Sequence, residues 1–122
     1  MSFKIDIYPS KTLRIVLLGV ITIEEIKSIR ENATAMIRAN ELENIFCDLQ
    51  NAVVDIKEME IFNYASTYKN IFKNITKTAV VYKTGRHDMQ ELTLFTRTAN
   101  TRGFKVKLFN NIPDALRWLK FY

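Results

Sequence analysis

Asn44-Ile45-Phe46-Cys47-Asp48-Leu49 is the stretch that decides the fold. It is mostly apolar and lacks the strict alternation of a half-solvated strand, so it reads as a strand covered on both faces, as in parallel sheets. Parallel strands need crossover helices, and the flanking sequence supplies them. Upstream, Thr22 opens a helix: its hydroxyl can accept from the amide three residues on while Glu25 reaches back, a reciprocal capping box. Ile26, Ile29, Ala33, Met36 and Ile37 then recur at helical spacing, with Glu24, Lys27, Arg30 and Glu31 on the other side. Downstream, Asp55 with Glu58 repeats the capping arrangement. The second helical stripe is Ile61, Ala65, Tyr68, Phe72 and Ile75, widened by Met59 and Phe62.

Further out, Thr78 to Tyr82 reads as a fourth, central strand, and the loop Lys83 to Asp88 leads to a third helix bearing Met89, Leu92, Phe95 and Ala99. Gly103 supplies the left-handed residue that closes that helix. Phe104, Val106 and Leu108 alternate with Lys105 and Lys107 in a fifth strand, whose lysines suit a sheet edge. Asn111 and Pro113 open a last short helix that buries Ala115, Leu116, Trp118 and Leu119. At the other end, Phe3, Ile5 and Ile7 alternate with Lys4, Asp6 and Tyr8, and Pro9-Ser10-Lys11 makes a turn. A second strand, Thr12 to Leu18, stops at Gly19, so the first two strands form an antiparallel hairpin. The order β-β-α-β-α-β-α-β-α predicts an α/β fold with a mostly parallel five-stranded sheet and an antiparallel first strand. Right-handed crossovers place the helices on a single side, leaving the other face as a contact surface for a protein partner or for a second copy in a homodimer.

The chain has 122 residues, a length that predicts one domain over 1–122. One cysteine and one histidine exclude a disulfide framework and most metal sites, and no cofactor is expected. The net charge of +5 is unevenly spread: +2 over residues 1–40, −4 over 41–70 and +7 over 71–122. These charges are dispersed, without the Lys/Arg cluster of a nucleic-acid arm, so no nucleic-acid partner is expected. The longest apolar run, Ile15 to Leu18, is far short of a membrane span, and no signal-type segment follows Met1. The expectation is a cytoplasmic protein.

Three motifs in order carry a family resemblance: Gly19-Val20-Ile21-Thr22-Ile23-Glu24-Glu25, Cys47-Asp48-Leu49-Gln50-Asn51-Ala52, and Arg102-Gly103-Phe104-Lys105-Val106-Lys107-Leu108-Phe109 with Ala115-Leu116-Arg117-Trp118-Leu119. They resemble the first-helix entry, the third-strand exit and the ending of the SpoIIAA-like branch of the STAS domains (sulphate transporter and anti-sigma-factor antagonist). That fold is related to the Sec14/CRAL-TRIO lipid-binding domains. The resemblance implies a bacterial protein, strands in sequential spatial order and a regulatory or interaction role without enzymatic chemistry. In the sporulation antagonists a serine at the start of the helix after the third strand is phosphorylated. The corresponding Val53-Val54-Asp55-Ile56-Lys57-Glu58 contains no hydroxyl residue, so that switch is not carried over.

Four groups of residues are candidates for chemistry. Cys47 with His87 as base would make a nucleophile, but a thiol inside an apolar strand behaves as a small hydrophobe. Lys83, Arg86 and His87 follow the fourth strand, where ligands of open parallel sheets gather, and are candidates for an anion or partner carboxylate. The competing role there is a polar loop in which His87 and Asp88 cap the third helix. Asp48, Gln50, Asn51 and Asp55 leave the third strand at the same end, where turn formation and capping account for them better than acid–base catalysis. Phe62, Tyr64, Tyr68 and Phe72 give the second helix more aromatic surface than a two-layer contact needs, enough to line an apolar cavity or a partner patch. The function expected is a non-catalytic interaction or regulatory module, the alternative being a carrier or sensor of a small apolar, lipid-like or anionic ligand.

Overall fold

The structure is a computed structural model that describes residues 3–57, 59–64, 74–85 and 89–120. Five strands form one sheet in the order β1 (Phe3–Tyr8), β2 (Thr12–Ile21), β3 (Asn44–Val54), β4 (Lys77–Val81) and β5 (Val106–Phe109). β1 is antiparallel to β2, and every other neighbouring pair is parallel. The helices are α1 (Ile23–Asn40), α2, described over 59–64, α3 (Met89–Thr101) and α4 (Ile112–Trp118). The predicted fold class is the one observed.

Local chemistry sets the helix ends. Thr22 is the N-cap of α1, its Oγ1 accepting from the Glu25 amide at 3.4 Å. At α2 the described reach-back is Glu60, whose Oε1 accepts the Lys57 N–H at 3.0 Å; Glu58 lies outside the described residues. α3 ends in a full Schellman motif: Gly103, at φ +89°, donates to the Asn100 carbonyl, and Phe104 donates to that of Ala99. Phe104 and Ala99 are both buried, supplying the apolar contact of that motif, and Asn100 exchanges two hydrogen bonds with the Val106 backbone at 3.0 and 3.1 Å. The end of α3 is thereby tied to the start of β5.

The main core lies between one face of the sheet and α1 and α3. Ile15 and Leu17 of β2, Ile45 and Leu49 of β3, Val80 and Val106 meet Ile29, Ala33 and Ile37 of α1 and Ala99 of α3. α4 does not join them. Ala115 and Leu119 pack on Phe46, Ala79 and Val81, which face the opposite side of the sheet. The helices therefore occupy both faces, not the single side expected. α4 follows the last strand and leads to no further parallel strand, so the crossover rule places no constraint on it.

Three strands also run differently from the prediction. β2 continues through Gly19, at φ +75°, to Ile21, while β5 begins only at Val106, leaving Phe104 as a buried connector. β3 continues to Val54, past a register shift at which Val16 opposes Asp48 but Leu18 opposes Asn51. Two residues, Leu49 and Gln50, thus face the single Leu17, a bulge whose turn is closed by the Gln50 amide donating to Asp48 Oδ1 at 3.0 Å. The bulge explains why Leu49 and Ala52, an odd number of positions apart, both point into the core. Gln50 and Asn51 are accordingly strand residues and not the exit that the sequence suggests, Asp48 stands within β3 as expected, and only Asp55 lies beyond it.

Candidate apolar binding cavity

Between the sheet and the helices lies a cavity of about 290 Å³. Its floor is made by Ile45, Cys47 and Leu49 of β3, Thr78 and Val80 of β4, and Ile15 and Leu17 of β2. Its walls are Ile26 and Ile29 of α1, Ile61 and Tyr64 of α2, and Leu92 and Phe95 of α3. Val54 and Ile56, at the carboxyl end of β3, reach it as well, so the cavity lies toward the end of the strands where open parallel sheets bind ligands. The charged side chains among its described lining residues are Arg30, Glu60 and Glu91, one from each helix around it.

The floor is hollow because its middle is built from small side chains. Cys47 and Val80 are register partners, as are Ile45 and Thr78, so a thiol, a valine and a threonine stand together where three leucines would fill the layer. Tyr64 and Phe95 close one side, their rings stacked at 6.0 Å and 18°.

Cys47 and Tyr64 are only half-buried by surface area, yet both lie deep in the fold. The two facts agree because their accessible surface lines the cavity. Burial pushes the Cys47 thiol up to about 12, with Asp48 adding to the effect. Burial likewise raises the Tyr64 phenol, with Cys47 adding and Arg30 opposing. Both groups are neutral at physiological pH, the reverse of an activated nucleophile. The Thr78 hydroxyl is fully buried and has no hydrogen-bond partner among the described residues. No group of three or more His, Cys, Asp or Glu among the described residues is arranged to hold a metal ion.

The candidate residues separate. Tyr64 lines the cavity, whereas Phe62 is 42 % exposed on α2; residues two apart on a helix point about 200° apart. Tyr68 and Phe72 lie outside the described residues, as do Arg86 and His87. Lys83 is exposed, just past the carboxyl end of β4, and is not among the cavity's lining residues. The cavity residues that sequence reasoning treats as plain core are Ile29, Leu49, Val80, Leu92 and Phe95, while Cys47 is weighed there as a nucleophile and set aside as a small hydrophobe. The signal that points to them is the run of small side chains at paired positions of the two central strands.

The opposite face of the sheet is covered by α4 only over β3 to β5. Over β1 and β2 it carries Arg14, which holds both carboxylate oxygens of Asp6 through its Nε and Nη2 (Nε to Oδ1 at 2.7 Å) and donates from Nη1 to the Tyr8 hydroxyl at 2.7 Å. The hydrogen bonds from Arg14 hold the Asp6 carboxyl below the usual carboxylate range. Tyr8 in turn stacks on Phe46 at 6.1 Å. Beside this group runs an aliphatic row, Val16, Leu18 and Val20, next to Val53, with Val20 56 % and Val53 46 % exposed. No described helix is long and apolar enough to cross a membrane.

No protein-family model matches the chain, and no curated protein does. Solved structures match over nearly its full length. A protein of the DUF3478 family with a SpoIIAA-like fold, from Shewanella loihica PV-4, has a TM-score of 0.68 at 19 % identity, covering 97 % of this chain and 93 % of the other. An anti-sigma factor antagonist from Mycobacterium paratuberculosis has a TM-score of 0.65 at 16 % identity, covering 97 % and 92 %. The anti-sigma factor antagonist SpoIIAA in its unphosphorylated form has a TM-score of 0.63 at 11 % identity, covering 98 % and 99 %. The register, the strand order and these superpositions lead to one conclusion: the chain has the SpoIIAA-like fold of the STAS domains.

Proposed function

We propose that this protein is a non-catalytic binding or regulatory module that holds a small apolar ligand between its sheet and its helices. The observation that carries the reading is the cavity: about 290 Å³, floored and walled almost entirely by aliphatic and aromatic side chains. That size is close to the lower end of ordinary small-molecule sites, about 300–1,000 Å³. Left filled only by water, such a lining gives up packing and apolar burial; an apolar ligand restores both. The absence of Ser, Thr and Tyr from residues 53–58 fits a module governed by occupancy of the cavity and not by phosphorylation there.

The reading is tested by titrating the full chain with a polarity-sensitive apolar fluorophore. Saturable one-to-one binding is expected for the wild type. Cys47→Phe puts a ring into the hollow floor and removes that binding, while circular dichroism reports that the fold persists. Wild-type chain that never saturates, or Cys47→Phe that binds as well as wild type, contradicts the proposal.

A further inference from the structure

The two edges of the sheet are finished differently. β5 is only four residues long, with Lys105 and Lys107 exposed along it and Lys107 Nζ lying 5.6 Å from the centre of the Phe109 ring. Short length and lysines are how an edge resists pairing with another chain. β1 is six residues long, no described strand lies beyond it, and its single lysine, Lys4, is followed two positions on by Asp6. Its other row is apolar: Phe3 and Ile5 pack half-buried on the core, and Ile7 is 46 % exposed. We propose that the outer edge of β1 pairs with β1 of a second copy, antiparallel about a two-fold axis at Ile5, joining two five-stranded sheets into one.

The register follows from the residues of the strand. Side chains directly opposite one another share a face of the sheet, so a two-fold axis normal to the sheet passes through a residue and not between two. Only axes through Ile5 or Asp6 pair five residues of β1; the others pair three or fewer. The axis through Asp6 sets that carboxylate against its own copy, and like charges directly opposite are destabilising. The axis through Ile5 sets Lys4 against the partner's Asp6, Phe3 against the partner's Ile7, and Ile5 against its own copy. By symmetry that gives two opposite-charge pairs on one face and three apolar pairs on the other, the contacts that stabilise neighbouring strands. Arg14 holds Asp6 from β2, yet 47 % of the Asp6 side chain is exposed, and a carboxylate has sites for a further donor.

Sedimentation equilibrium of the full chain is expected to show a dimer that dissociates on the order of tens of micromolar, as so small an interface implies. Lys4→Glu, at an exposed position, sets carboxylates against each other in both pairs and is expected to weaken the dimer about tenfold or more. Ile7→Glu, which puts a charge against the partner's Phe3, weakens it without touching Lys4 or Asp6. Circular dichroism reports that both variants keep the fold. Amide hydrogen exchange locates the contact in the wild type, because every second N–H of an antiparallel edge strand points away from its neighbour. Those outward amides of β1 are expected to exchange more slowly in concentrated than in dilute protein. A wild-type chain that stays monomeric, a dimer that either variant leaves intact, or outward β1 amides indifferent to concentration overturns the inference and leaves the cavity reading standing.

Discussion

Cys47 shows how far the setting of one residue decides its chemistry. It sits in the middle of a central strand, opposite Val80, with its sulfur surface turned into an apolar hollow. Burial there pushes the thiol up to about 12 from an ordinary 9.0. An acid whose pKa is higher in the folded than in the unfolded chain stabilises folding below the unfolded value and loses that contribution as pH rises through the gap. The free energy of unfolding is therefore expected to fall from about pH 9 upward. The slope is that of one proton, about 1.4 kcal/mol per pH unit, with Tyr64 adding in the same direction at higher pH. Denaturant titrations of wild type and Cys47→Ala across pH 7–11 measure it. The variant should lose the first part of the slope, and identical profiles would mean that the thiol is not buried as described. Asp48, beside it, closes the bulge, its Oδ1 accepting the Gln50 amide.

At the scale of elements, what the sequence makes legible is what short-range chemistry controls. The Thr22 cap, the Asn111 cap and the Gly103 stop are each written in two or three neighbouring residues, and each appears where expected. The Schellman end of α3 allows a direct measurement. Gly103 at φ +89° carries no Cβ, and placing an L side chain in a left-handed conformation costs about 1–2 kcal/mol. Gly103→Ala is thus expected to destabilise the fold by about that amount in urea titration, while Arg102→Ala next to it costs little. The features the sequence hides are set by pairing. The bulge at Leu49 and Gln50 exists only in register with Leu17, and it carries β3 five residues past the apolar run that announces it. α4 follows no crossover rule, so the side on which it packs is decided by the apolar patch of Phe46, Ala79 and Val81.

For the whole molecule the decisive feature is a mismatch between layers, and a mismatch leaves no periodic mark in a sequence. The stripes on α1, α2 and α3 look like ordinary core stripes; only the pairing of Cys47 with Val80 and of Ile45 with Thr78 shows that the floor beneath them is too shallow to fill. The cavity itself is tested most directly by a ¹⁵N–¹H NMR titration of the full chain with 1-nonanol. Shifts that saturate at one equivalent and concentrate on Ile29, Cys47, Leu49, Val80 and Phe95 are the expected result. Shifts that never saturate, or that fall on Val16 and Val20 while those five stay still, would contradict the account.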